Sequence, residues 1–244
     1  MIEFKQLKGK RGRPKGPTEQ GLATKERIYK VALEAIAEQG YDAATLREIA
    51  KRAHVSPGLL YKYFPNKRAI VLELSDQLSE QYAHTMQELQ LHQTRKKWSQ
   101  ALESALLMSF EVLGPYRSVL SALKTTLMNN REDGLLSPER RQARLRVQRV
   151  FEEAISKSND APQNAPALGR FFYLLHLALI LWWLLDRTSK QRATFALLKL
   201  ICSVLPVFGL ILKLPPAQRA LKEFDQLLHE AIFDERVNTE KDSA

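Results

Sequence analysis

Cysteine, glycine and acidic charge are all in short supply in this 244-residue chain. The one cysteine, Cys202, excludes an internal disulfide framework and fits a reducing cytoplasm. It lies in an apolar run, where a buried inert thiol is the plain reading and a redox sensor the special one. Ten glycines are few for this length, while Leu, Ala, Glu, Lys and Arg abound, which favours an all-helical protein. The five histidines, His54, His84, His92, His176 and His229, show no HExxH or paired-ligand spacing. Neither a Gly-rich phosphate loop nor a G-x-S-x-G occurs, so no enzyme, cofactor or metal is expected. No apolar run follows the basic N-terminus, and no signal peptide is expected.

Acidic residues are scarcest at the front. Residues 1–68 hold 15 Lys/Arg against 7 Asp/Glu, a net +8, and the remainder holds 22 against 20, a net +2. Most of the positive charge therefore sits in the first quarter of the chain, as a phosphate-binding module requires. That quarter contains TLREIAKRAHVSPGLLYKYFPNK, Thr45–Lys67. Thr45 and Glu48 have capping-box spacing, and Leu46, Ile49, Ala50 and Ala53 form an apolar face. After a turn at His54–Val55, Ser56 is a good N-cap and Pro57 suits a first helical position. Leu60 and Phe64 share one face and are expected in the core. The others carry Pro57, Gly58, Leu59, Tyr61, Lys62 and Tyr63. Two helices this short must lean on neighbours, which is the helix-turn-helix arrangement that seats a helix in the DNA major groove.

From about Thr24 to Ala69 the chain resembles the DNA-binding domain of the TetR-type repressor family. The matching run is Thr45-x-x-x-Ile49-Ala50-x-x-Ala53-x-Val55-Ser56, followed by Tyr61-x-x-Phe64-x-x-Lys67. His54 departs from it, standing where the family usually has a glycine that accepts positive φ cheaply. The resemblance implies phosphate contacts from Tyr63 and Lys67, dimerisation through the last long helices, and a C-terminal part that binds a small molecule. From the residues themselves, Thr45, Ser56, Tyr61, Lys62, Tyr63 and Lys67 suit phosphate, and Pro57, Gly58 and Leu59 face the bases, with Tyr61 and Lys62 as further candidates for base contact. Leu59 can meet a thymine methyl but cannot make the bidentate bonds that read G or A.

The expected organisation is an arm over residues 1–21, a DNA-binding domain over 22–69, a helical effector-binding and dimerisation domain over 70–236, and a tail over 237–244. The arm's Arg11-Gly12-Arg13-Pro14 resembles an AT-hook, and Arg11 and Arg13 are candidates for a narrow A/T-rich minor groove. A merely basic tail is the alternative. A first helix is expected over Ala23–Gln39, with Ile28, Val31, Ala32, Ala35 and Ile36 inside, and a long one from Asn66 to about Leu89. Arg140, Arg141, Arg144, Arg146 and Arg149 read as a solvated face rather than a second nucleic-acid patch.

The most apolar stretch, Phe171–Leu185, would span roughly 22 Å as a helix against a hydrocarbon core of about 30 Å, too short to cross comfortably. The next run, Phe195–Leu214, is interrupted by Lys199, Pro206, Gly209 and Lys213. Burying both calls for a four-helix interface between two subunits, so a homodimer through Phe171–Leu214 is expected. Trp98, Met108, Phe110, Tyr116, Phe172, Trp182 and Trp183 are candidates to line an effector site, though aromatics at helical spacing are usually core. Asp186 and Arg187 either orient a polar group there or form a surface pair. The reading is a cytoplasmic regulator, most simply a repressor, that leaves an inverted-repeat operator when a small apolar or amphipathic ligand binds. Two rivals stand beside it: an architectural A/T-rich DNA binder without effector, and a membrane-associated sensor.

Overall fold

A computed structural model of the chain describes residues 18–91, 96–129 and 134–233. Arg11 and Arg13 lie outside the described residues, as does the expected tail. The described residues form helices and turns with no strand, the all-α architecture expected from the composition.

Helix α1 spans Glu19–Gln39, starting before Ala23 because Thr18 Oγ1 accepts the Gly21 N–H at 3.2 Å. Tyr29 and Leu33 join its buried face, and Gly40 ends it at φ +88°. Helices α2 (Leu46–Arg52) and α3 (Pro57–Tyr63) pack beneath it. Asn66 Oδ1 accepts the Ala69 N–H at 2.8 Å and opens α4, Lys67–Leu91. At 25 residues α4 runs about 37 Å, long enough to leave the reading head and become a wall of the C-terminal part. There follow α5 (Trp98–Leu113), α6 (Arg117–Asn129), α7 (Arg141–Ser156), α8 (Ala165–Leu185), α9 (Arg192–Ile211) and α10 (Pro215–Leu228). Buried side chains from α1 through α10 belong to one contiguous cluster. Across it, α4 touches α7, and α1 touches α6.

Two expectations about the apolar helices need correction. Helix α8 begins at Ala165, with Pro166 in its first turn where no N–H is missed, so it is 21 residues and about 31 Å long. Its length therefore does not argue against a membrane span, and α8 and α9 are both long and apolar enough for one. Helix α9 also runs unbroken through Pro206 and Gly209. A Cβ at Gly209 would stand 2.9 Å from the Trp98 ring, so this glycine serves the close approach of α9 to α5 rather than a break.

Asp186 has neither role expected of it. Its carboxylate accepts from the N–H and Oγ1 of Thr188 (2.8 and 2.7 Å) and of Thr194 (2.8 and 2.7 Å), holding the α8–α9 turn. Arg117 donates to the Asp186 and Trp183 carbonyls, each at 3.0 Å. Burial pushes the Asp186 carboxyl up, but the four hydrogen bonds outweigh it and hold the group well below the carboxylate range. A lowered folded-state pKa means stabilisation that is complete above the unfolded value of about 3.9 and fades as pH falls through the folded value. Asp186→Asn is expected to melt below the parent at neutral pH, with the gap closing only in acid. Melting curves with a gap independent of pH would remove the charge from this account.

Candidate nucleic-acid interface

The reading head is built from caps inward. Thr45 Oγ1 accepts the Glu48 N–H at 3.2 Å, but the second half of the expected capping box is not made. The Glu48 carboxylate instead accepts from Gln39 Nε2 at 2.8 Å and from Arg52 at 2.9 and 3.1 Å, tying α1 to α2. Those bonds, Gln39 first and Arg52 second, lower the Glu48 pKa. The turn follows at His54, which takes φ +51° and so adopts the left-handed conformation that glycine would hold more cheaply. Ser56 Oγ then accepts the Leu59 N–H at 3.2 Å and starts α3 with Pro57 in its first turn.

Leu60 and Phe64 are buried, as expected, and Phe64 stacks on Tyr29 with ring centroids 6.1 Å apart. The opposite side of α3 presents Pro57, Gly58, Tyr61 and Lys62 to solvent, with Ser56 and His54 beside them; Leu59 and Tyr63 are half-buried. The exposed residues thus lie on one convex face with the α3 N-terminus at its edge, a geometry that fits the major groove. Lys67 is the residue whose placement differs most from its expected role. Its Nζ donates to the Tyr41 carbonyl and, at 3.1 Å, to the Asp42 carbonyl, and sits 4.7 Å from the Tyr41 ring centroid. It braces the α1–α2 loop from within.

Away from the head, a cavity of about 330 Å³ opens between α4, α5, α6, α7 and α8. That volume is within the usual range for small-molecule sites, about 300–1,000 Å³. Its walls are mostly aliphatic, with polar members that include Arg140, Arg144, Lys124, His176, Tyr82, Tyr173 and three serines, Ser75, Ser79 and Ser109. None of Trp98, Met108, Phe110, Tyr116, Phe172, Trp182 and Trp183 lines it. Trp98 packs on Phe172, and Phe110 on Trp183 and Phe195, so these aromatics fill the α5–α8–α9 core. Met108 and Tyr116 are half-buried against that core, and Trp182 is 49% exposed. Arginine periodicity was the signal that mattered instead. Arg140 and Arg144 are buried rather than solvated, whereas Arg146 pairs with Asp76 on α4 and Arg141 and Arg149 stay exposed.

The outer side of α8 and α9 is bare. Leu200, Val204, Val207, Ile211 and Leu214 form a stripe at helical spacing, all 46–62% exposed, and on α8 Trp182 and Leu185 are 49% and 56% exposed.

A helix-turn-helix head with its second helix exposed, carried on a larger all-helical body, defines a class of DNA-binding protein. Residues 28–74 match the family model described as bacterial regulatory proteins, tetR family. Those residues are a TetR-type helix-turn-helix region. The HTH-type transcriptional regulator YdeS of Bacillus subtilis is 37% identical over 67 residues, 28% of this chain and 31% of the relative. The chain matches about a third of the length of such curated relatives. Among solved structures, the fatty acid degradation regulator FadR from Bacillus halodurans superposes with a TM-score of 0.58 at 19% identity, covering 79% of this chain and 96% of that one. Thermus thermophilus FadR, a TetR-family repressor in complex with lauroyl-CoA, gives 0.53 at 21%, covering 74% and 92%. At these identities the likeness is one of fold.

Proposed function

We propose that the chain is a cytoplasmic, homodimeric transcriptional repressor that binds an inverted-repeat operator and is released from it by a small apolar or amphipathic ligand. One observation carries the reading: the cavity shares its walls with the reading head's supports. Helix α4 leaves the head and lines the cavity through Val71, Leu74 and Leu78, while α6 lines it through Leu120 and Leu123 and packs on α1. A ligand that binds one arrangement of α4 and α6 better than another shifts the heads, whereas equal affinity for both shifts nothing. The lauroyl-CoA complex of a protein of this fold supports an apolar ligand class.

In this reading residues 22–69 are the head, 70–236 the effector-binding and dimerisation part, and the arm with Arg11 and Arg13 adds minor-groove contact. Thr45, Ser56, Tyr61, Lys62 and Tyr63 hold phosphates. Lys67 joins them through an N–H not used on the Tyr41 and Asp42 carbonyls. Pro57, Gly58 and Leu59 approach the bases. Two heads then span half-sites about one helical turn, or a multiple of it, apart.

Gly58 gives a local test. A Cβ there would meet nothing within 4 Å, so the fold does not require glycine, and glycine inside a helix costs about 0.5–1 kcal/mol relative to alanine. Gly58→Ala is expected to stabilise the protein by about that amount and to weaken operator binding, since the added methyl occupies the space of close approach to DNA. Unchanged affinity in a stabilised variant would remove Gly58 from the interface.

Selection of bound sites from random DNA tests the whole reading. An inverted repeat is the expected product, and recovery of generic A/T-rich DNA alone would replace the repressor with an architectural binder. Fractionation without detergent addresses the bare apolar stripe: a dimer in the soluble fraction supports the interface, and recovery only with membranes supports a membrane-associated sensor.

A further inference from the structure

Aliphatic side chains from α4 to α8 make up most of the cavity lining. Its ionisable and aromatic members are Tyr82 of α4, Lys124 of α6, Arg140 and Arg144 at the start of α7, and Tyr173 and His176 of α8. Three of the described lining residues are cationic, Lys124, Arg140 and Arg144, and none of them is Asp or Glu. Both arginines are only 6% exposed, and Arg144 Nη1 is steadied by the Leu136 and Ser137 carbonyls at 3.4 and 3.5 Å. Their charges reach Tyr173, opposing the burial that pushes its phenol up to about 12.

One turn along α8 from Tyr173 lies His176, 4% exposed between the rings of Tyr82 and Phe151. Among the described residues, neither of its ring nitrogens has a hydrogen-bond partner. Burial drives its pKa down to about 3, so at physiological pH it is neutral, with one N–H donor and one acceptor. A buried polar group of this kind is costly unless something meets it, and such groups in native proteins call for a specific explanation.

We propose that the cavity takes a flexible aliphatic acid, its carboxylate lying between Arg140, Arg144 and the His176 N–H, and its alkyl body against aliphatic side chains such as Leu74, Leu78, Leu120 and Leu123. This rests on the ligand-responsive reading above and narrows it to a substrate class. A carboxylate enters so apolar a space only where cations and donors meet it, and an alkyl cation would meet like charge. Among the described residues the lining contains no Phe or Trp, and its only aromatic rings besides His176 are Tyr82 and Tyr173. Leucine-rich walls with Met128 at the exposed rim suit a bending chain better than a flat ring.

The test is calorimetric titration of the full chain with n-alkanoates from octanoate to myristate, the matching n-alkanols and the matching alkyltrimethylammonium salts, each below its micelle concentration. At least one alkanoate should bind at one per chain, about tenfold or more tighter than the alkanol of the same length, the difference expected for a charge-assisted hydrogen bond. The ammonium salts should not bind. An alkanol equal to or tighter than its alkanoate, or no binding by any alkanoate, overturns the proposal. Arg144→Gln should lose about tenfold for the acid and nothing for the alkanol. Because Arg144 also holds two loop carbonyls, His176→Leu provides the second variant. It should melt at or above the parent, having lost an unmatched polar group, and still bind the acid several-fold less tightly. Acid affinity unchanged in both variants overturns the assignment. Acid binding that leaves operator affinity unaltered would sink the release mechanism while upholding this site, and operator release by alkanols with no preference for acids would do the reverse.

Discussion

Phe64→Ala should cost about 3–5 kcal/mol and abolish operator binding, the range found when a fully buried phenylalanine is truncated. Phe64 is 1% exposed at the end of α3, stacked on Tyr29 from α1, with the Lys25 ammonium 5.7 Å from its ring centroid. It therefore joins α3 to α1. The cavity left behind cannot collapse easily, because Ile28, Ile36, Ile49 and Leu60 around the same core are themselves fully buried. A chain of this size loses about 2–4 °C of melting temperature per kcal/mol, so a fall of roughly 6–20 °C is expected. Tyr61→Ala is the matched control, an aromatic on the same short helix that is 47% exposed and should leave melting nearly unchanged. Should Phe64→Ala melt with the parent, the described packing of α3 on α1 is wrong. Should it melt lower yet bind operator normally, α3 is not the reading helix.

Placing glutamates at Leu200 and Val207 should convert the proposed dimer to monomers. The two side chains are 62% and 58% exposed, two turns apart on α9, in the middle of the bare apolar stripe. Against solvent the change is nearly free, so melting should hold. In an interface it would bury carboxylates without partners, at several kcal/mol each. Sedimentation at micromolar protein should show a monomer. Operator affinity should fall by about a hundredfold or more, since two half-sites held by one dimer gain avidity of that order over one. A variant that stays dimeric, or a monomer that keeps full affinity, would place the interface elsewhere or dispense with it.

The reading head was legible because its determinants are local. Thr45, Ser56 and Pro57 announce helix starts, Leu60 and Phe64 lie four apart, and His54 marks the turn; each of these concerns neighbours a few residues away. The proposed effector site was not legible. Trp98, Phe110 and Phe172 look like pocket residues in one dimension, but large rings at helical spacing are what fill a three-helix core. Arg140 and Arg144 look solvated beside so many other arginines. Only the packing of α7, and of the turn that leads into it, against α8 and α4 separates them from Arg141 and Arg149, which lie on α7 but face water.

By itself, the sequence determined the helical class, the position and polarity of the helix-turn-helix, and the excess of apolar surface in the last long helices. Periodicity, caps and composition act over a turn or two and need no knowledge of distant partners. The tertiary structure decided which faces meet. It turned Lys67 inward to the Tyr41 and Asp42 carbonyls, carried α9 unbroken past Pro206 and brought Gly209 against Trp98. It also enclosed His176 and two arginines in a cavity walled by α4 and α6. Those outcomes depend on side chains tens of residues apart competing for the same volume, and no local pattern records which of them wins.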